Sequence, residues 1–402
     1  MQPEAGTQID IQKSNNFLGS WSPQTAEVCA VDIALSMNQP PPVVRGRSTI
    51  VVPERKSVEV PERRKVREDP YVNTALGLMK AAETVSSTVN HFQQWLKSPP
   101  PAPSVKAPAL KTVPPFDIQQ IPGAMRKIGA PVGAAVMERW FAGQLNYSPT
   151  PTDEKEGINQ NGQPYPPNMI DTTLVKIDWV MKFPRAKRAL NELLTLLGTP
   201  RARAQLATAL RPYRSRQDIR AWLECGGGME QLHKEFQFQH ASIEGSLDQK
   251  LKQFAITGIL NEGIPDDLTC ALGSFQLYAA ISQATFNRRS NSSTATLTHI
   301  SVYVKDNYTF TDEPSHVAQY LGHWNRNHVA IGPALQLATT ANIGWVDYAV
   351  AQGDVHSKDA VLYPVKNSDF RAWQQKHGQG GDFIIYTDRM FMKLDTPITV
   401  AL

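Results

Sequence analysis

Residues 99–115 read PPPAPSVKAPALKTVPP. Repeated proline fixes φ near the polyproline value and removes backbone donors, so no helix interior or central strand can run through this stretch. It predicts an extended spacer and splits the chain into an N-terminal arm, residues 1–98, and a main domain, residues 116–402. The 402-residue chain holds 30 prolines, which at the usual share of about 5% is a clear excess. Their clustering places them in connecting chain.

The arm carries apolar runs, NFLGSWSP and AEVCAVDIAL, able to dock on a surface. A basic run follows, from Arg45 through Arg67, interleaved with Glu54, Glu59 and Glu62. It reads either as a docking arm or as a solvated tail. From Pro70, the residues Val72, Leu76, Met79, Val85, Val89, Phe92 and Leu96 recur at helical spacing and predict one amphipathic helix.

The main domain changes period midway. Its first part, 116–265, reads as helices. IPGAMRKIGAPVGAAVMERWFAG gives one or two, with Pro131 starting the second. TLVKIDWVMKF is an apolar segment of either kind. RAKRALNELLTLLG is helical with Gly198 as its stop, Thr199–Pro200 opens another helix, and a third is expected over 217–224. The run Gly226–Gly228 lacks the lysine and hydroxyl of a phosphate loop and reads as a turn. From 266 the pattern alternates. Phe275, Leu277, Ala279 and Ile281 share one face, and Ile300, Val302 and Val304 another, with Leu297 out of phase. The polar stretch 287–293 between them makes this a β-hairpin, and the C-terminal GGDFIIYTDRMFMKLDTPITVAL adds one or two strands. The expectation is an α+β fold, helical first and antiparallel β later.

Composition excludes several function classes. A net charge of +4 spread over this length gives no concentrated basic face, so no nucleic-acid partner is expected. Cys29, Cys225 and Cys270 are odd in number and far apart, which argues against a disulfide framework and a cysteine zinc site. No apolar run reaches 18 residues, and the N-terminus lacks a secretory h-region. Synthesis in the cytoplasm is expected, with any export by a route that needs no cleaved signal.

Chemically capable residues concentrate between 299 and 382. His316, His323 and His328 stand seven and five apart, which fits no helical face, so no metal ligands are assigned and the cofactor is unknown. The candidate catalytic residues are His323, Asp306, Asp312, His299 and Tyr303. Asp306 and Asp312 flank a turn, His299 and Tyr303 share an open strand face, and His323 beside Trp324 suits general acid–base work. The bland alternative makes the aspartates turn residues and has Tyr308, Phe310, Tyr320 and Trp324 packing the core. Trp324, Arg371 and Asp382 are candidate binding residues, the last two in a dense region where HGQGGDF predicts a tight turn.

The segments IPGAMRKIGAPVGAAVMERWF, VYVKDNYTF, QYLGHWN and NSDFRAWQQKHGQGGDFIIYTD resemble an uncharacterised proteobacterial family, a domain of unknown function, over 116–402. Members of that family are often found near genes for type VI secretion and PAAR-type spike proteins. The resemblance implies an exported antibacterial effector or a protein that works beside one. Its implied partners are a spike or chaperone protein and a cognate immunity protein. Three roles stay open: a hydrolytic toxin, a toxin that contacts and perturbs membranes, and a secretion adaptor.

Overall fold

The computed structural model describes residues 35–44, 116–243, 264–289, 292–311, 319–330, 350–351 and 361–402. The expected Pro-rich spacer, the basic run and the helix over 70–96 lie outside the described residues.

The described helices begin with α1 (Ile121–Lys127) and α2 (Pro131–Phe141). Proline occupies the first turn of each, where its missing N–H costs nothing. Next come α3 (Pro151–Glu156), β1 (Ile170–Asp171), α4 (Ile177–Val180), α5 (Pro184–Leu196) and α6 (Pro200–Leu210). The Thr199 hydroxyl accepts from Ala202 N and caps α6, as its sequence predicts. The stretch 217–224 is not one helix: Asp218–Arg220 forms β2, and only Ala221–Glu224 turns helical, as α7. Gly226 and Gly227, both at positive φ, make the expected turn. Then follow α8 (Met229–Phe236), β3 (Gln237–Ile243) and α9 (Asp267–Leu272).

The β-rich part contains β4 (Phe275–Arg289), β5 (Ser292–Tyr308), β6 (Tyr320–Trp324), β7 (Val329–Ala330), β8 (Val350–Ala351) and β9 (Val361–Lys366). It closes with α10 (Asn367–His377), β10 (Phe383–Tyr386) and β11 (Met390–Ala401). The fold is α+β, as the change of period predicts. The division is looser than the sequence suggests, because β1, β2 and β3 come from the helical part and join the sheet of the later part.

That sheet is built on the β4–β5 hairpin. The outer side of β5 is shared between β10, along 305–308, and β11, along 294–302. The outer side of β4 is shared between β3 and β2. A parallel β1–β10 pair closes one edge, and the other pairs are antiparallel. Gln283 faces His299 and Ala284 faces Leu297, which leaves Thr298 as an extra residue in β5. This bulge is why Leu297 is out of phase: one inserted residue shifts the alternation, and Leu297, Ile300, Val302 and Val304 all end up fully buried. A second, four-stranded sheet has the order β7–β6–β9–β8.

Two devices fix the helices. The Asp267 carboxylate accepts from Val132 N and Gly133 N at 2.9 Å each, so α9 caps α2 with an anion at its positive end. A Cβ at Gly133 would stand 2.5 Å from the Cβ of Cys270, so only glycine permits this approach. At the other end of α2, Trp140 and Phe141 pack with Phe310, Phe370 and Trp373, all buried. Phe310 stacks on Phe370 with ring centroids 3.7 Å apart, and Phe141 meets Trp373 edge-on at 4.9 Å.

Residues 35–44 lie against this body. Ser36 bridges Asp117 in parallel, and the buried Asp117 carboxylate accepts from Asn38 N at 2.8 Å and Gln39 N at 3.0 Å. Leu35 and Met37 pack against the core.

Candidate functional site

Alternation along β5 gives its two sides different chemistry. Val302 and Val304 turn to one face, which continues through Leu277 and Ala279 of β4 and is fully buried and apolar. Tyr303 and Lys305 turn to the other. There the register sets His240, Tyr278 and Tyr303 in one row across β3, β4 and β5. The next row is Ser242, Gln276, Lys305 and Tyr386, crossing β3, β4, β5 and β10.

Helix α8 lays His233 over the first row. The imidazole meets Tyr278 at 4.7 Å between centroids and Tyr303 and Tyr386 at 5.9 Å each, edge-on to all three. Its Nδ1 is hydrogen-bonded to the Tyr303 hydroxyl at 3.0 Å. Tyr278 and Tyr303 stack at 5.9 Å, and the Tyr278 hydroxyl donates to Gln276 Oε1 at 2.6 Å. Helix α8 brings its side chain here because Met229, Leu232 and Phe236 bury one stripe, and His233 follows Leu232 on the turn above the sheet.

The electrostatics follow from burial. His233 is held down to about 4, first by loss of water and then by the positive charge of Lys305 and the neighbouring His240. Its ring is therefore neutral at pH 7. Burial raises Tyr303 well above the usual phenol range and pushes Tyr278 up to about 12, so both hydroxyls keep their protons. Burial also lowers Lys305, against the opposing pull of Asp306 and Glu230. A neutral imidazole tied to a protonated phenol, beside a desolvated ammonium, can transfer a proton and stabilise negative charge.

The residues singled out in the sequence do not converge on one place. Tyr303 belongs to this cluster, but it is fully buried beneath His233 and does not line an open groove. His299 lies on the same face of β5, about 13 Å along the strand, and stacks on Phe391 at 4.9 Å. Asp306 points to the opposite face; burial pushes its carboxyl up to about 7, with Glu154 adding to the rise and Lys305 opposing it. Asp312 lies outside the described residues. His323 and Trp324 belong to β6 of the second sheet, adjacent on a strand and therefore on opposite faces. Both are buried: His323 Nδ1 bonds the Tyr320 hydroxyl, and Trp324 Nε1 donates to Leu321 O at 3.0 Å.

Arg371 and Asp382 do meet. Asp382 is fully buried, accepts from Arg371 at 2.6 Å and 3.2 Å and from Trp140 Nε1 at 2.9 Å. The pair clamps α10 to the strand entry after Gly378, whose φ of 61° ends the helix. It is a closed internal ion pair.

His233, Tyr278, Lys305 and Tyr386 were not singled out in the sequence. Lys305 stands inside the quoted VYVKDNYTF, but MEQLHKEF gives no sign that its histidine covers a strand 70 residues away.

A cleft of about 870 Å³ lies elsewhere, between the end of α2, the edge strand β1 and Pro42–Val43. Its charged groups Glu138, Arg139 and Asp171 are ion-paired, Glu138 with Arg126 and Arg139 with Asp171. Among the described residues no helix is long and apolar enough to cross a membrane.

No curated protein and no solved structure matches the chain. One family model does, over residues 116–402, which covers every element from α1 to β11. The chain therefore belongs to the family of unknown function DUF6402.

Proposed function

We propose that this domain is a hydrolytic enzyme and that the protein acts as an antibacterial effector of the type VI secretion kind. The observation that carries the enzymatic part is the hydrogen bond from His233 Nδ1 to Tyr303 at 3.0 Å, beneath a partly exposed imidazole. The tautomer that serves hydrolysis has Nδ1–H donating to the Tyr303 oxygen. Nε2 then takes a proton from water as the hydroxide attacks the scissile centre, and returns it to the leaving group. Tyr303 is a positioning residue: it fixes the ring plane and the tautomer. Lys305 stabilises the charge that develops in the transition state. The effector part rests on the sequence resemblance over 116–402, with a spike or chaperone protein and an immunity protein as the partners it implies.

The test is expression in a bacterial host, directed to the cytoplasm or to the periplasm, of the full chain and of His233→Ala. Growth inhibition in one compartment, abolished by the substitution with the fold intact by circular dichroism, is the expected result. Inhibition that survives the substitution and comes with membrane depolarisation supports a membrane-perturbing toxin. No inhibition in either compartment leaves a secretion adaptor.

A further inference from the structure

Next to His233 the sheet presents a row of polar side chains able to donate hydrogen bonds. The row is Ser242, Gln276 and Lys305, adjacent on β3, β4 and β5. Directly opposed side chains on neighbouring strands stand about 5 Å apart, so three such residues span a small oxyanion. Gln276 Oε1 accepts from the Tyr278 hydroxyl, which leaves the amide Nε2 as its group able to donate to a ligand. Lys305 is partly buried, yet no carboxylate among the described residues forms an ion pair with it. Asp306, next in sequence, turns to the other face, and Glu230 of α8 is exposed. All three members of the row keep partial access to solvent.

A half-desolvated ammonium with no contact ion pair among the described residues, drawn on only by the fields of Asp306 and Glu230, is costly, while bare donors in water are not selective. Placed together beside a neutral histidine, they fit a ligand that brings acceptors and negative charge. The geometry points to a subsite for an anionic oxygen group, phosphoryl or carboxylate, bound across Lys305, Gln276 and Ser242. Taking that anion to be part of the substrate rests on the reading of His233 given above. The subsite then places the charged group one sheet row from the proton-transfer group, and the substrate class is an anionic ester or amide. The lowered Lys305 accords with this, since burial weakens its ammonium until an anion offsets the loss of water.

The experiment titrates the full-length protein with inorganic phosphate and, separately, with acetate, at ionic strength held constant with chloride. The readout is the imidazole NMR signals of His233 and His240. A saturable shift is expected in the wild type, weakened about tenfold or more in Lys305→Gln. It should be retained in Lys305→Arg and in Lys187→Gln, a change at an exposed lysine on α5. A response to phosphate alone assigns a phosphoryl group, and a response to acetate alone a carboxylate. No saturable shift in the wild type, or an equal shift in Lys305→Gln, overturns the subsite. Anion binding that persists while His233→Ala leaves toxicity unchanged keeps the subsite and removes its catalytic role.

Discussion

Asp382 and Lys305 are both charged groups withdrawn from water, and they are treated in opposite ways. Asp382 has Arg371 on both carboxylate oxygens and the Trp140 indole on one of them. Lys305 has a row of donors beside it and no ion pair among the described residues. A charge with its partners built in holds the fold together. A charge left without one costs stability and is ready for a ligand. The difference separates the two dense regions of the sequence: the one around Asp382 is architecture, and the one around Lys305 is where we propose the chemistry.

The comparison breaks most readily at the closed pair. Arg371→Ala strands the Asp382 carboxylate in the core and is expected to cost about 3–5 kcal/mol, read as a lower urea midpoint with unchanged slope. Lys305→Met removes a charge that has no contact ion pair among the described residues, so the same measurement should stay within about 1 kcal/mol of wild type or rise. Equal losses in the two variants would erase the distinction.

A second test uses pH. His233 is depressed to about 4 in the fold against 6.5 ordinarily, so its contribution is present above about pH 6.5 and lost as pH falls through 4. Asp306 is raised to about 7 against 3.8, so its contribution is present below about pH 3.8 and lost as pH rises through 7. His233→Gln should therefore flatten the acid side of the stability profile. Asp306→Asn should gain on wild type as pH rises from about 4 to about 8. Denaturant midpoints across that range check both, and a profile unchanged by either variant would contradict the placement of these groups.

A small effect is expected at Tyr303. Tyr303→Phe removes one hydrogen bond and should cost about 1 kcal/mol, because the aromatic packing is kept. Under the proposed function its larger consequence is for growth inhibition, through loss of the imidazole's orientation.

What could be read in the sequence was local. Pro131 and the Thr199–Pro200 pair mark helix starts because capping and fixed φ act within one turn. The alternation on β4 and β5 marks the hairpin because burial of one face imposes period two. The bulge at Thr298 was visible only as an unexplained phase of Leu297, since its cause is the pairing partner and not the strand. The candidate site needed contacts between distant segments. The density of histidines marks His323 in the sequence, yet the second sheet buries it against Tyr320. The histidine that sits on a row of tyrosines is His233, alone in its helix, and only the docking of α8 on β4 and β5 gives it neighbours.

The role of His233 is tested by growth inhibition of a bacterial host by the full chain carrying His233→Gln, with the urea midpoint as the control for folding. Inhibition is expected to be lost while the midpoint stays near that of wild type. Full inhibition by a folded His233→Gln protein would contradict that role.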